Sequence, residues 1–549
     1  MPSIDPESPN VLHTLSRRAH WSRANEKGVF PGVSSPLNWS IWGAIGELAV
    51  RRGACDLGLL DEHEVALPES ADDWGWSIFH GRPTANVDTW RSLYERGLGG
   101  AGQGAATQRQ VFGDATDGVS RSSGASGSRG SERRRASIAE KRAVALATSP
   151  ARLSATRREA IGWWREATGD CAQGDAALAA RRFREGLALF ERADRDHIVV
   201  SLLSTEAVTT LAAAANAAGR PEAANALMVG YPGMDEFETA VAVWDLSRGR
   251  LSLDDFIAEH GFHGSMEGEI ASRSWREDPA PVEAMARRYA KLDEREDPRA
   301  REVRAVAERG RLEAELRSAR PAAERAALDE AFALAATCLP MREAGRATLT
   351  IALDAMRAAA RVIGRDLAAR GRLASPEDVF LLTRSELLDP PADLRDLVDA
   401  RRQLVEGYAG FELPETWQGM PAKLPVVERG ALAGGDRLLT VGDRLEGLGA
   451  SAGLHEGTAR VVFDPSDPAL EFEAGDVLVA PATDPSWAPL FLVAGAVVID
   501  TGSNISHAAV VAREMGIPAV VAARDASRRL ANGRRLRVDG RTGIVEVVG

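Results

Sequence analysis

Cysteine is scarce: Cys55, Cys171 and Cys338 are the only three in 549 residues. They are odd in number and widely spaced. They therefore form neither a disulfide framework nor a zinc-binding pattern, and a reducing, cytoplasmic setting is expected. No run of about 18 apolar residues is present, so no membrane partner is expected. The opening Met1-Pro2-Ser3-Ile4-Asp5 lacks the basic start and apolar core of a signal peptide. Positive charge is not in excess. Lys and Arg number 67 against 79 Asp and Glu, a formal net charge of −12, which disfavours nucleic acid as a partner. There is no Gly-x-x-x-x-Gly-Lys-Ser/Thr phosphate loop and no repeat of fixed period. No His, Cys or carboxylate cluster has metal-ligand spacing, so no metal is expected on the chain itself.

What remains is an ordinary globular composition, 44% hydrophobic and 27% charged, long enough for two to four domains with sizeable cores. The first hundred residues mix tryptophan with turn residues, as in Trp21-Ser22-Arg23-Ala24-Asn25 and Phe30-Pro31-Gly32-Val33-Ser34-Ser35-Pro36-Leu37-Asn38-Trp39-Ser40. Residues 97–136 are rich in Gly, Ser and Arg, a composition that buries too little apolar surface to offset ordering entropy, so a flexible loop is expected. From about 137 to 410 Ala, Leu and Arg dominate with apolar residues at helical spacing. The glycines after Pro425 mark a hinge. The expected fold is multidomain α plus α/β: a mainly helical substrate-binding domain over 1–430, a linker over 431–447 and a small α/β domain over 448–549.

Within that last domain one segment carries chemistry. Gly495-Ala496-Val497-Val498-Ile499-Asp500 reads as a buried strand. Ser506 is a good N-cap, which puts His507 in the first turn of a short helix. Gly516 suits the position just past the helix end, and Pro518 prevents its continuation, so the helix stops near Met515. A strand then resumes at Ala519-Val520-Val521. Ala508 and Ala509 are small enough for a ligand to approach the free backbone N–H groups, whose dipole favours an anion. A neutral imidazole at that place is a competent nucleophile for phosphoryl carriage. The local pattern fits equally a histidine that caps a helix or fills a core.

Thr483-Asp484-Pro485-Ser486-Trp487-Ala488-Pro489-Leu490-Phe491, followed by Ser506-His507, resembles the mobile phosphohistidine domain of phosphoenolpyruvate-utilising enzymes. Gly449-Ala450-Ser451-Ala452-Gly453, Val538-Asp539-Gly540 and Thr542-Gly543 extend the resemblance over about 436–549. The earlier Trp21–Ser40 segment is similar to the branch that includes rifampin phosphotransferase and phenylphosphate synthase. So are Gly261-Phe262-His263-Gly264-Ser265-Met266-Glu267, Ser274-Trp275-Arg276-Glu277-Asp278-Pro279, Met341-Arg342-Glu343-Ala344-Gly345-Arg346 and Pro376-Glu377-Asp378-Val379-Phe380. The resemblance implies that His507 is phosphorylated, with Ser506 at the helix start and Gly502 and Ser503 forming the phosphate loop. Ser503 stands where relatives usually carry a second glycine. His263 and Glu267 are candidates for binding the substrate hydroxyl or for acid–base work. Arg342 and Glu343 are candidates for contacting phosphate or positioning the docked histidine. Many relatives carry His-Arg where this chain has Phe262-His263.

No segment resembles an ATP-grasp nucleotide domain, and a pyruvate-binding barrel of roughly 250 residues does not fit after His507. The expectation is a phosphotransferase component. ATP with Mg²⁺ is used by a separate ATP-grasp protein, the C-terminal domain swivels, and the phosphoryl group passes to a hydroxyl of a small organic acceptor. Two other outcomes remain open. One is a condensing or dehydrating enzyme that uses the phosphoryl group for activation, as in the prodigiosin-forming relative. The other is a non-catalytic binding protein on the same scaffold.

Overall fold

The computed structural model describes residues 11–24, 26–97, 128–220, 223–426, 437–465, 467, 470–504 and 506–549. The N-terminal part opens with a four-stranded antiparallel sheet ordered β2-β3-β1-β4, built from β1 (His20–Ser22), β2 (Trp76–Phe79), β3 (Arg82–Asn86) and β4 (Thr416–Gln418). Helix α1 (Pro36–Asp56) follows β1. Its start is fixed by Pro36 in the first turn and by the Ser35 side chain, which accepts from the Asn38 N–H at 3.2 Å. Ser34 and Ser35 also donate to Glu269, at 3.0 and 2.6 Å, tying this entry segment to the loop that carries His263 and Glu267.

After α2 (Val87–Gly97) come two long helices, α3 (Ser128–Ala172) and α4 (Ala176–Ala217). Residues 98–127 of the expected 97–136 loop lie outside the described residues. Residues 128–136 are helical rather than loop. Arg, Glu and Ala are good helix formers, and this stretch continues directly into the amphipathic pattern behind it.

Helices α5 (Asp235–Ser247), α6 (Leu253–His260), α7 (Ala280–Tyr289) and α8 (Pro298–Ser318) lead to the 48-residue α9 (Ala322–Ala369), and α10 (Leu394–Ala409) follows. The core lies between α4 and α9, with α1 and α3 against them, and includes Phe183, Phe190, Leu353 and Met356. Helix α4 is long and apolar enough to cross a membrane by length and composition, but 61% of its most apolar window is buried inside the fold.

The C-terminal part is an eight-stranded mixed sheet. Its strands are β5 (Arg444–Glu446), β6 (Leu448–Ser451), β7 (Leu454–Val461), β8 (Val477–Ala480), β9 (Ala496–Ile499), β10 (Ala519–Val521), β11 (Arg535–Asp539) and β12 (Ile544–Val547), in the order β5-β12-β11-β7-β8-β9-β10-β6. Strands β7 to β10 are parallel neighbours, and β8 and β9 are buried along their whole length, as a sheet covered on both faces requires. Residues 431–436 of the expected linker lie outside the described residues. The rest of it belongs to this sheet: β5 pairs with β12, and Leu439 is buried in the same apolar cluster.

Helix α11 (Ala488–Val493) lies between the sheet and helices α5 and α7. Trp487, Leu490 and Phe491 share one apolar cluster with Val243, Trp244, Met285 and Tyr289. Burying a side chain such as Phe491 contributes about 1.5–3 kcal/mol to this seam. Polar contacts cross it as well. The Met266 N–H donates to Asp484 at 2.9 Å, the Gly230 N–H donates to Glu514 at 3.1 Å, and Arg301 donates to the Met515 carbonyl at 3.0 Å.

Candidate functional site

His507 is the first residue of α12 (His507–Glu514), which connects β9 to β10. Ser506 occupies the N-cap with extended backbone, φ −66° and ψ 157°, yet its hydroxyl does not cap the helix. It donates to the Ser503 carbonyl at 2.8 Å. Gly502 has φ +116°, and an added Cβ would come 2.8 Å from the Ser506 hydroxyl, so glycine is needed there. Ser503 has no positive φ, which removes any backbone reason for glycine at that position. It is fully buried and holds the turn through its carbonyl, whereas Gly502 and Ser506 line the cavity described next. Arg513, one helix face away, reaches back to the Asn504 carbonyl and braces the loop. The helix ends as its sequence indicates, with Met515 as C-cap and Gly516 at φ +63°.

A cavity of about 260 Å³ lies between the helical part and the start of α12. One wall is aromatic, formed by Trp76, Trp90 and Tyr94, and α4 supplies Ser201, Leu202 and Thr205. Arg342, Glu343 and Arg346 of α9 and Asp484 of the C-terminal part give it charge, and His507 forms part of its lining. The space equals roughly nine waters at about 30 Å³ each, so it suits a compact ligand.

Beneath the cavity runs a chain of ion pairs. Arg346 contacts Glu236, pairs with Glu343 at 3.0 Å and lies 3.6 Å from Glu267. Glu267 accepts from His263 at 2.9 Å, and His263 lies 3.2 Å from Asp235, which Arg157 also pairs. Glu236 completes the chain 3.6 Å from Nδ1 of His507.

These surroundings set the protonation states. Burial, helped by the Arg346 and Arg342 charges, pushes His507 down to about 3, so the ring is neutral at physiological pH. Burial alone opposes charge on His263, but Glu267 and Asp235 outweigh it and raise that imidazole to about 9. Burial pushes Asp484 up to about 6, against the hydrogen bonds from Ser486 and the Met266 N–H.

Arg342 and Glu343 thus share the cavity wall with His507. His263 and Glu267 do not; they are 3% and 5% exposed and sit within the ion-pair chain, where His263 is already protonated and has no base to offer. Sequence reasoning missed Arg346, Glu236 and Asp484 as site residues. Arg346 stands one helical turn after Arg342, so the two share a face, and Asp484 stands inside the Thr483–Phe491 segment. Glu236 has no comparable signal beyond its place in the acidic first turn of α5. Among the described residues no group of three or more His, Cys, Asp or Glu is arranged to hold a metal ion.

Two segments of the chain match known families. Residues 472–543 match the mobile domain of PEP-utilising enzymes, and residues 205–343 match the rifampicin phosphotransferase fourth domain. The chain is 39% identical over 185 residues to a rifampicin phosphotransferase of Streptomyces sviceus, covering 33% of this chain and 20% of the relative. It is 48% identical over 102 residues to a probable phosphoenolpyruvate synthase of Staphylothermus marinus, covering 18% and 12%. It is 29% identical over 322 residues to the chondramide synthase of Chondromyces crocatus, covering 54% and 8%. The chain thus spans a fifth or less of the length of these three relatives. Asp484 and His507 fall in the first matched segment, and Glu236, His263, Glu267, Arg342 and Glu343 in the second. The chain therefore carries a PEP-utilising-enzyme mobile domain and, ahead of it, a fourth domain of the rifampicin phosphotransferase type.

Proposed function

We propose that this chain is a phosphotransferase component in which His507 carries a phosphoryl group to a hydroxyl of a small organic acceptor. The observation that carries the reading is a neutral imidazole at a helix start that has no side-chain cap, lining a cavity that two arginines and an aromatic wall also line. A neutral ring keeps its lone pair available for phosphorus. The first-turn N–H groups and the Arg342 and Arg346 guanidiniums are the groups that would balance phosphoryl charge. In this reading the docked arrangement is the delivery state, and the cavity beside His507 is the acceptor pocket.

In the loading step ATP, with Mg²⁺, is used by a separate ATP-grasp protein, and the β-phosphoryl group moves to the ring, leaving AMP and inorganic phosphate. The N–P bond forms at the β-phosphorus as the α–β bridging P–O bond breaks and AMP leaves; water then attacks the γ-phosphorus, and the β–γ P–O bond breaks to release inorganic phosphate. Loading requires the C-terminal domain, with β5 and Leu439 as part of it, to leave the pocket, which means opening the apolar seam around Trp487 and Phe491. In delivery the acceptor oxygen attacks phosphorus and the pair of electrons returns to the ring nitrogen. In this reading Asp484, one of the carboxylates lining the cavity, takes the hydroxyl proton, for which its raised pKa of about 6 is suited. Positioning and charge stabilisation do the rest, as in other phosphoryl transfers. A cytoplasmic setting fits the three free cysteines, all buried.

The test is product analysis with the chain, an ATP-grasp partner, ATP and candidate hydroxyl compounds. A phosphate ester formed with one AMP per turnover supports transfer. AMP formation with a phosphate-free condensed or dehydrated product contradicts it and supports the activation chemistry instead.

A further inference from the structure

His507 faces a carboxylate of the helical part across one ring nitrogen. Glu236 Oε1 lies 3.6 Å from Nδ1, while Nε2 is buried and has no hydrogen-bond partner among the described residues. Glu236 is itself only 5% exposed and is ion-paired with Arg346, and among the described residues neither of its oxygens makes a hydrogen bond. Its place is well fixed. It stands in the first turn of α5, where the helix dipole favours negative charge. Arg346 is held behind it by Glu343 and Glu267, and Glu267 by His263.

We propose that Glu236 is a positioning residue for the phosphoryl carrier. In the docked arrangement it keeps a proton on Nδ1 and stabilises the Nδ1-protonated, Nε2-phosphorylated imidazole from which delivery proceeds. This rests on the phosphohistidine reading above. In delivery the acceptor oxygen bonds to phosphorus, and the Nε2–P bond breaks with its electron pair returning to Nε2. The hydroxyl proton passes to Asp484. The Nδ1 proton stays where it is, so the ring departs as neutral imidazole. Without that proton it would have to depart as an imidazolate anion, a far poorer leaving group.

Glu236 belongs to α5 and His507 to α12, on opposite sides of the seam. The pair therefore exists only in the docked arrangement. The N–P bond is activated at the acceptor pocket, and a phosphohistidine in transit is left in its stable, unprotonated form. The other charged groups facing the ring are Arg342, Glu343 and Arg346 from α9 and Asp484 from the segment before α11. The two arginines oppose protonation of the bare ring, and a phosphoryl dianion on Nε2 offsets them.

The test needs neither ATP nor a partner. The full chain is phosphorylated with potassium phosphoramidate, and the His507 signal is assigned by its absence in His507→Ala. ³¹P spectra are then followed against pH. The expected product is Nε2-phosphohistidine, with an Nδ1 titration about one pH unit higher in the wild type than in Glu236→Gln, the usual size of a close carboxylate effect. Glu236→Asp falls between them. At pH 8 the wild-type phosphoryl group is lost about tenfold faster than in Glu236→Gln, in proportion to the larger Nδ1-protonated fraction. ¹⁵N spectra of the unphosphorylated wild type, which depend on no variant folding, show the Nδ1–H tautomer. Coincident titrations, an Nδ1-phosphorylated product or a resting Nε2–H tautomer would each overturn the proposal. Failure of the phosphohistidine reading itself has a different signature, the absence of label on His507 from ATP and partner.

Discussion

Replacing Arg346 with methionine removes the cation on which three buried carboxylates converge. The side chains of Glu236, Glu267 and Glu343 are 5%, 6% and 7% exposed, and Arg346 contacts or faces all three. Breaking a buried pair by deleting one partner costs about 3–5 kcal/mol, because the remaining charge stays buried without compensation. Here the lower end applies. Arg346 is 24% exposed, Glu267 keeps His263, and Glu343 keeps Arg342 at 3.3 Å. Urea unfolding of Arg346→Met at pH 8 should show a loss of about 3 kcal/mol. The sign of the pH dependence follows. The stranded carboxylates have raised pKa values in the folded variant and take up protons as pH falls, so the loss shrinks between pH 8 and pH 5. Adding Glu236→Gln removes one stranded charge and should recover at least about 0.5 kcal/mol relative to additivity. A loss below about 1 kcal/mol at pH 8, or a strictly additive double variant, would refute the reasoning that this cluster is a compensated buried charge network.

Three further outcomes are expected. Gly345→Ala sets an improved helix propensity of about 1 kcal/mol against overpacking of about 1–3 kcal/mol. Its new Cβ would stand 2.6 Å from Nδ1 of His197, so the unfolding midpoint should fall, and a rise would show that α4 and α9 yield there. His263 has its pKa raised from 6.5 to about 9 in the folded chain, so its contribution is complete below 6.5 and lost as pH rises through 9. Unfolding midpoints measured from pH 6 to 10 should show that loss in the wild type and not in His263→Gln. Leu202→Phe narrows the cavity from the α4 wall. Acceptor-dependent loss of phosphate from His507 should drop at least about tenfold, the effect of a modest misplacement at a reacting centre, while phosphoramidate labelling is kept.

The local punctuation around His507 was legible because each signal acts within one or two turns. Ser506 at the cap, Gly516 in the left-handed conformation and the parallel β9 and β10 strands appear where the sequence indicates. The direction of the Ser506 hydroxyl was not legible, because it depends on how the Gly502–Ser503 turn folds back. The helical start at 128–136 was hidden by a composition that also suits a solvated chain. Glu236, Arg346 and His507 lie up to 271 positions apart in sequence and meet only when α5, α9 and α12 pack together. Such convergence leaves no periodic trace. His263 and Glu267 were legible as a functional-looking pair, and the structure places them one layer beneath the cavity, where they brace the arginine that the cavity uses.

The most direct measurement is transfer of label from ATP bearing ³²P in the β-phosphoryl group, with the chain and its ATP-grasp partner. The account predicts acid-labile, alkali-stable label on His507 of the wild type and none on His507→Ala. Wild-type chain that stays unlabelled with a partner that turns over ATP, or label that survives in His507→Ala, would contradict it.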